Sequence, residues 1–447
     1  MLLVLRIAWH NILLARRRTL LLGMAVATTA FMFFMLRAVA ASVSEHMLDA
    51  ATTLSAGHVN IGGFFKDGQN ASAPILTGRE QLRDLARKTV PESTRIIDRH
   101  RGWGRIISPA SSINASFSGL IVAEEANLLG TLRLAATRDY RKDGNDERPG
   151  HFADLAKPNS AILFAAQAKK LEVGVGDSVT VITEASSGPA NTADLDIVAI
   201  AEDIGFLSNY SILMPRQTVL DLYQLSPDTT GAVMVYLPHA DQAQAVMDRL
   251  RQALKGAGYT LMDHDPRPFF MKFASVGAAD WLGQQLDLTT WSDEISYMAW
   301  VTMALDLIAF VVLSILALII GGGLMNSVWM SVRERTKEIG TMRAIGASRT
   351  FVAQLFVVEA MLLGGLASIC GTGLGALLLS VINHLNLPIV DDGTRLFLMA
   401  NTVHIPVHLE QLISASLVLM MITGAAALYP SWKAARMRPI EALMHSK

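Results

Sequence analysis

The residues whose types and spacing could do chemistry are concentrated in one short charged segment, residues 331–349, between two long apolar runs. The segment contains five basic and two acidic side chains. Glu334 and Glu338 stand four positions apart, and Arg335 stands three positions before Glu338. These spacings predict a helix that an Arg335–Glu338 ion pair supports.

An apolar face accompanies these charges. Ile339, Met342 and Ile345 recur at helical spacing, Gly346 suits a helix end, and Ser348 suits the cap of a following helix. The pattern predicts a short amphipathic helix at a membrane surface. The residues alone leave open whether its apolar face meets lipid or a protein groove.

Other chemistry is absent from the sequence. There is no Gly-Lys dipeptide and hence no phosphate-binding P-loop, and there is no HExxH, GxSxG or CxxC motif. His58, His100, His151 and His264 lack metal-ligand spacing. The single cysteine, Cys370, cannot form an internal disulfide. Nothing predicts catalysis, a cofactor or a metal in this chain.

Composition indicates a membrane protein. The 447 residues are 51% hydrophobic and 17% charged, against about 25% charged in ordinary soluble domains. The net charge of −1 provides no field that would recruit nucleic acid. Four runs are apolar enough to cross a bilayer, which takes about 20 helical residues. They cover residues 20–36, 296–332, 350–390 and 412–429.

The first run resembles a secretory signal, because Arg16, Arg17 and Arg18 precede it and small residues follow it. However, the run is longer than a usual signal core, and Arg37 interrupts it before the small residues. We therefore expect a retained anchor. The three arginines would anchor its cytoplasmic end, and lipid-headgroup binding is the alternative.

Basic residues set the expected orientation. The N-terminal flank, the central segment and the C-terminal tail together carry thirteen basic and three acidic residues. Both termini and the central segment are therefore predicted to be cytoplasmic, with residues 391–411 outside. Domains are expected at 1–40 (amphipathic helix and first span), 41–295 (outer domain) and 296–447 (three spans, charged loop and tail).

The outer region has the composition of a soluble mixed α+β domain with two subdomains. Strands are predicted at residues 178–183 and 194–201, and another is expected to start within 256–261. Amphipathic helices are predicted at 79–88 and 238–254. The predicted fold class is a four-helix membrane domain with this α+β domain inserted between the first two spans.

A few residues within the spans need separate interpretation. Asp306 is expected near the outer end of the second span, because that run is longer than the bilayer core. Glu359 is expected just inside the cytoplasmic surface, paired with a basic residue, and a proton relay is the alternative. Ala367, Gly371 and Gly375 predict close helix packing, either within one bundle or between subunits.

Three motifs resemble the FtsX/MacB/LolC-type ABC permeases. The first is Glu334-Arg335-Thr336-Lys337-Glu338-Ile339-Gly340, followed by Arg343-Ala344-Ile345-Gly346-Ala347-Ser348. The second is Ala8-Trp9-His10-Asn11 with the three arginines and Thr19-Leu20. The third is Tyr429-Pro430-Ser431-Trp432-Lys433-Ala434-Ala435-Arg436 with Pro439-Ile440-Glu441-Ala442-Leu443. The resemblance covers the membrane part and its four-span layout.

The resemblance implies a mechanotransmission permease in the bacterial inner membrane. A dimer, homomeric or heteromeric, would bind cytoplasmic ABC ATPases that hold ATP and magnesium. The coupling helix would comprise Glu334, Arg335, Thr336, Lys337, Glu338, Ile339, Gly340, Met342, Arg343, Ile345 and Gly346. The outer domain would have a βαβ-type part (residues 53–122 and 238–263) and a β-rich part (residues 161–225), and a periplasmic acceptor or adaptor would be a further partner.

Since the chain begins at the permease, a separate ATPase is implied, as in the lipoprotein-releasing permeases LolC and LolE. The expected function is extraction or export of a lipid-linked or amphipathic substrate, with lipoprotein release favoured. The alternatives are MacB-like efflux of small amphipathic molecules and an FtsX-like regulatory role without transport.

Overall fold

The computed structural model describes residues 2–14, 16–68, 71–184, 190–204, 208–387, 389 and 403–437. Most of the expected outer loop at 391–411 and the motif Pro439–Leu443 lie outside the described residues. The chain divides into two compact units. One comprises described residues within Met1–Val43, Val301–Pro388 and Thr402–Lys447, and the other comprises those within Ser44–Trp300 and Ile389–Asn401.

Helices account for nearly all of the first unit and for parts of the second. In chain order they are α1 (Leu2–Leu14), α2 (Arg16–Ala50), α3 (Arg79–Thr89), α4 (Ala126–Thr131), α5 (Thr137–Tyr140), α6 (Ala165–Leu171), α7 (Arg216–Tyr223), α8 (Ala243–Gly256), α9 (Phe273–Ala278), α10 (Trp291–Glu294), α11 (Ala299–Glu334), α12 (Thr336–Ala344), α13 (Arg349–Leu385) and α14 (Leu409–Ala435). A π-helical turn (Ala51–Ser55) continues α2, and 3-10 turns lie at Val122–Glu124, Phe152–Ala156, Ala240–Gln242, Phe269–Met271 and Ser296–Met298.

The strands all belong to the second unit. They are β1 (Val59–Gly68), β2 (Ala71–Ala73), β3 (Arg95–Ile107), β4 (Ser112–Leu120), β5 (Ser160–Phe164), β6 (Ser178–Glu184), β7 (Ala190–Ala201), β8 (Ser211–Pro215), β9 (Ala232–Tyr236) and β10 (Gly283–Thr290).

Among the described residues, four helical stretches are long and apolar enough to cross a membrane, in agreement with the four predicted spans. They run over Thr19–Ser55, Ser296–Glu334, Arg349–Leu385 and Leu409–Ala435. The 36 residues of α11 extend roughly 54 Å at about 1.5 Å per residue, against a hydrocarbon core of about 30 Å. The helix is therefore longer than the apolar layer that it would cross.

Two large hydrophobic cores lie in the described part of the second unit, together with a small third cluster of Ile97, Met234 and Tyr236. In the first, the strands run in the order β10-β1-β9-β3, and α3 and α8 supply buried residues to the same core. Leu82 and Ala86 of α3 and Leu250 of α8 are fully buried there. Alternating apolar residues of β1 and periodic ones of the helices meet at this core.

The second core is enclosed by a ring of paired strands. The order β3-β4-β8-β5-β7-β6 closes because Arg105–Ile107 of β3 pair with Thr180–Ile182 of β6. Phe117, Leu163 and Val181 fill the interior with their neighbours. The first half of β3 pairs with β9 and the second half with β4, so one strand belongs to both cores.

Two details of the predicted domain were wrong. No strand lies at 256–261, because Gly256 ends α8 and Leu261 forms only an isolated bridge with Leu286. Strand β4 belongs to the ring of strands and not to the βαβ-type part, since it pairs with β3 and β8. Strand β10 was not predicted, although it forms one edge of the first sheet.

Candidate functional site

The charged segment folds as helix α12, set off from α11 by a break of one residue. Arg335 leaves helical geometry at φ −103° and ψ 18°, and α12 then spans Thr336–Ala344. Gly346 ends the turn in the left-handed region at φ +105°, a conformation that favours glycine. The Ser348 hydroxyl accepts a hydrogen bond from the Phe351 amide at 3.1 Å and caps α13.

One face of α12 packs tightly against the other helices of its unit. Ile339 is only 1% exposed and lies in a cluster that draws on α11, α13 and α14. The members of that cluster are Val332, Ile339, Val352, Phe356, Ala434 and Ala435. Met342 is partly buried against this cluster and against a second one that contains Val4 and Ala8 of α1. The helix is therefore fixed to the ends of four other helices.

An ion pair adds a polar connection at the same place. The Arg335 Nη1 atom lies 3.4 Å from the Glu359 Oε2 atom, and the Asn11 side chain donates to the same carboxylate oxygen at 3.2 Å. Glu359 thus has the basic partner that was expected. The predicted Arg335–Glu338 pair was wrong: among the described residues the ion pair of Arg335 is with Glu359, because the break at Arg335 turns its side chain towards α13.

The opposite face of α12 is exposed and mixed in charge. Its exposed residues, with those flanking it, are Arg333, Glu334, Lys337, Glu338, Thr341, Ala344 and Ile345. Ile345 is 83% exposed and lies next to the charged residues of this face. The predicted apolar face of Ile339, Met342 and Ile345 is therefore only partly buried. Ile339 and Met342 point inward, whereas Ile345, the residue after the last residue of α12, points outward.

This geometry sorts the predicted coupling residues. Ile339 and Gly340 are buried, while Thr336, Met342 and Arg343 are intermediate. The buried residues position the helix, and the exposed ones form its outer surface. Thr341 on that surface was not predicted, and Asn11, which belongs to the N-terminal motif, was not predicted as a partner of Glu359.

The C-terminal motif packs beside the end of α11. The Lys433 ammonium lies 4.8 Å from the ring centre of Trp329, and the Tyr429 ring lies 6.5 Å from the same ring. The Arg436 guanidinium stacks on Trp432 at 3.7 Å. These cation–π contacts stabilise the packing of the C-terminal motif. Aromatic and basic residues are common near the ends of membrane spans.

The N-terminal basic motif begins α2. Arg16, Arg17 and Arg18 occupy its first turn, and the side chain of Arg17 is exposed. The side chains of Arg16 and Arg18 lie outside the described set. The anchoring role of the three arginines stays a prediction.

The small residues of α13 pack within this chain. A methyl group at Gly371 would overlap the backbone of Ala27 in α2, and one at Gly375 would approach the Phe34 ring at 2.7 Å. Ala367 lies in a cluster with Val26 of α2. The structure therefore uses this face for intramolecular contact with the first span.

Asp306 pairs with a basic residue of the first span. The Arg37 Nη1 atom lies 2.9 Å from Asp306 Oδ1, and both side chains are about half-exposed. The pair therefore connects α2 to α11.

In the second unit, a buried ion pair holds the end of the first long helix. Arg99 binds both carboxylate oxygens of Glu125, at 2.6 and 2.9 Å, and both side chains are 1% exposed. The Arg99 Nη1 atom also donates to the carbonyls of Thr53 and Leu54 at 3.0 and 3.1 Å. These are carbonyls at the end of the π-helical turn, which otherwise lack intrahelical donors.

A second group of polar residues includes Asp98 and His100, which stand on either side of Arg99 in β3. Burial alone raises the pKa of Asp98, but the hydrogen bonds and positive charges of Arg79 and Arg83 outweigh it, so that the pKa is lowered. Burial lowers the pKa of His100 to about 4, with a further contribution from the charge of Arg216. His100 therefore stays neutral within the fold at neutral pH.

No group of three or more His, Cys, Asp or Glu side chains suited to a metal occurs among the described residues. The polar clusters of the chain are ion pairs and hydrogen-bond networks that position helices.

Comparison with known proteins agrees with this architecture. Residues 19–253 match the family model described as the MacB-like periplasmic core domain, and residues 310–439 match that of the FtsX-like permease C-terminal region. Among curated relatives, the macrolide export ATP-binding/permease protein MacB of Neisseria gonorrhoeae is 33% identical over 153 residues, 34% of this chain and 22% of that protein. MacB of Syntrophobacter fumaroxidans is 35% identical over 133 residues, 30% of this chain and 16% of that protein.

Two solved structures are also similar. The periplasmic region of MacB from Actinobacillus actinomycetemcomitans matches 47% of this chain and 88% of its own, with 15% identity and a TM-score of 0.30. The extracellular domain of the noncanonic ABC-type transporter YknZ matches 44% of this chain and 95% of its own, with 14% identity and a TM-score of 0.29.

The matched regions span about a fifth of the length of the curated relatives. The two family models together extend from the first span to the end of the fourth, and the first alone covers more than half of the chain. The chain belongs to the MacB/FtsX-type family of ABC transporter permeases.

Proposed function

We propose that this chain is the permease subunit of an ABC transporter and that α12 is the helix that docks on a cytoplasmic ATPase. One observation carries the proposal: α12 is packed on its inner side by four helices, and its outer side presents mixed charges around Ile345. A helix held in this way transmits a force applied to its exposed face to the membrane-spanning helices. A helix that lay on lipid would bury its apolar side in the bilayer.

The energy for this movement comes, in this proposal, from ATP and magnesium bound by an ABC ATPase. The curated relatives are named ATP-binding/permease proteins, which supports an ATPase as the source of the movement. The basic N-terminal flank, central segment and tail favour a cytoplasmic location for both termini and for α12. The spans then lie in a bacterial inner membrane, and the second unit lies in the periplasm. The functional form in this proposal is a dimer.

The long helices connect the ATPase to the outer domain in this proposal. Helix α2 continues into a π-helical turn whose carbonyls accept hydrogen bonds from Arg99. In chain order, β10 is followed by α10, and α10 is followed by α11. Mechanical transmission of this kind needs firm attachment at the helix ends. The buried Arg99–Glu125 pair supports such an attachment.

We propose an amphipathic substrate, and the curated relatives favour small molecules of the macrolide type over lipoproteins. Those relatives are named macrolide exporters, but they match over about a fifth of their length. In liposomes that contain the permease with its ATPase, stimulation of ATP hydrolysis by a macrolide would support efflux. Stimulation only by an acylated lipoprotein would favour lipoprotein release through a periplasmic acceptor, and stimulation by neither would favour a regulatory role.

Docking itself is tested by site-directed cross-linking. In a Cys370→Ala background, Ile345→Cys is expected to cross-link to a co-purified P-loop ATPase through a thiol-to-amine reagent. The control is Leu307→Cys, an exposed position within the second span. An ATPase that co-purifies but reacts no better with the cysteine at position 345 than with the one at position 307 would contradict the docking proposal.

A further inference from the structure

A short helical segment of the second unit presents an apolar face to its surroundings. Residues 269–278, here called the anchor segment, comprise the turn Phe269–Met271 and helix α9. Its exposed residues are Phe270, Met271, Ala274, Ser275 and Ala278, which recur on one side at helical spacing, and Ser275 is the one polar side chain among them. Phe270 is 46% exposed and Met271 is 42% exposed. Contiguous exposed apolar residues are a feature of protein and membrane interaction sites.

The anchor segment is held in place from beneath. The Lys272 ammonium is fully buried and lies 2.6 Å from Asp287 Oδ2 of β10. Phe273 packs on Phe64 of β1, with ring centres 5.4 Å apart. The inner residues thus fix the orientation of the segment, and its apolar side is not free to turn inward.

A second buried lysine fixes the far end of the segment. Lys66 is 2% exposed, and its ammonium donates to the carbonyls of Val276 and Gly277 at 3.1 and 2.9 Å and also to that of Ala279. Burying an ammonium is costly unless hydrogen bonds compensate it. The fold thus fixes both ends of the segment with buried charges.

The segment lies beside the start of a membrane-spanning helix. The Phe270 ring packs edge-on against Tyr297, with centres 5.5 Å apart, and Tyr297 belongs to the first turn of the apolar stretch Ser296–Glu334. Trp300, one turn further along, is 68% exposed. Aromatic residues are enriched where spans leave the bilayer, because their rings favour the boundary between headgroups and acyl chains.

We propose that the anchor segment is an interfacial membrane anchor, whose Phe270, Met271, Ala274 and Ala278 face enters the headgroup and acyl boundary of the leaflet from which α11 descends. The partner is a lipid surface, because Phe270 packs on Tyr297, which lies at the start of the apolar helical stretch Ser296–Glu334. The anchor keeps the base of the first sheet at the membrane, since Lys66 belongs to β1 and Asp287 to β10.

Spin-label accessibility tests this proposal on the full chain in lipid nanodiscs. Cys370 is the free cysteine and is replaced first, as Cys370→Ala. A nitroxide is then attached to Met271→Cys, and its collision rates with oxygen, which enriches in lipid, and with a water-soluble nickel chelate are compared. Trp300→Cys is the lipid-exposed reference. Trp103→Cys, an exposed aromatic position on the ring of strands, is the aqueous reference.

The expected oxygen-to-nickel ratio at position 271 is several-fold higher than at 103 and close to that at 300. A ratio equal to that at 103 would overturn the proposal. Low collision rates with both reagents would also overturn it, because they would place a protein over the patch. Ala274→Cys, a smaller change on the same face, repeats the measurement in case Met271→Cys disturbs the fold. No ATPase or substrate is present, so the result is independent of the proposed transport function.

Discussion

Arg335 and Glu359 form an ion pair, 3.4 Å between Nη1 and Oε2, that joins the break before α12 to the third membrane span. Asn11 of α1 binds the same carboxylate at 3.2 Å. One carboxylate therefore connects the N-terminal helix, the exposed helix and a span. If force enters through α12, this connection and the cluster around Ile339 are the path by which it reaches the spans.

Removing one partner of this pair is expected to destabilise the helix junction. Arg335→Met leaves the mostly buried Glu359 carboxylate with fewer partners, and we expect a loss of about 1–3 kcal/mol. A double-mutant cycle with Glu359→Gln, read from thermal unfolding in detergent, isolates the coupling. If Arg335→Met and Glu359→Gln have strictly additive effects, the pair does not contribute as the geometry implies.

The buried pair at the end of α2 is expected to have a larger effect. Arg99→Met removes the donor to two helix-end carbonyls and leaves Glu125 only the longer ion pair with Arg95 at 3.9 Å, so we expect a loss of about 3–5 kcal/mol in unfolding free energy. Arg249→Met is the matched control, because its pair with Glu92 is solvent-exposed and exposed pairs contribute little to stability. Equal losses of unfolding free energy in Arg99→Met and Arg249→Met would show that the buried pair does not stabilise the end of α2.

Helix α13 provides a matched pair of glycine substitutions. Gly371→Ala places a methyl group against the backbone of Ala27, and overpacking of this kind costs typically about 1–3 kcal/mol. Gly373→Ala lies on the same helix with no atom within 4 Å of the added methyl, and is expected to be neutral or stabilising by up to about 1 kcal/mol. The thermal midpoints of both variants check this difference. If this face were a dimer interface, Gly371→Ala would instead change the oligomeric state and leave the thermal midpoint of the subunit nearly unchanged.

His100 is expected to make the second unit sensitive to acid. Its pKa in the fold is about 4, below the value of about 6.5 in an unfolded chain. The unfolded state therefore takes up a proton first as the pH falls, so the stabilising contribution is complete above about pH 6.5 and is lost as the pH falls towards 4. The shift corresponds to roughly 3 kcal/mol.

Comparing stability at several pH values with that of His100→Gln checks this contribution. The substitution is expected to weaken the dependence between pH 6.5 and 4, although His58, whose pKa burial also lowers, retains part of it. His264→Gln, at an exposed position, is the control and should leave the curve unchanged. A His100→Gln protein with the full original acid sensitivity would contradict the assignment.

The features that the sequence predicted well depend on local periodicity. Helix α3 and strand β6 lie within one residue of their predicted bounds, because amphipathic spacing and alternation are local signals. The four spans were predictable for the same reason, since apolar length alone identifies them.

The features that were missed or wrong depend on contacts between distant residues. Strand β10 pairs with β1 more than 200 positions away, and β3 and β6 close a ring that no local pattern encodes. The partner of Arg335 was wrong because a break of one residue redirects its side chain. Ile345 was grouped with Ile339 and Met342 on one apolar face by helical spacing alone, whereas contacts with the other helices bury only Ile339 and part of Met342.

In the proposed function, the exposed face of α12 receives the movement of an ATPase. The most direct test measures ATPase binding and substrate transport of the reconstituted complex with Ile345→Asp, compared with Leu282→Asp, at a leucine of the second unit that is 70% exposed. We expect Ile345→Asp to weaken ATPase binding at least roughly tenfold and to abolish transport while the thermal midpoint stays unchanged, and Leu282→Asp to retain both binding and transport. Full ATPase binding and transport in Ile345→Asp would contradict the proposed function.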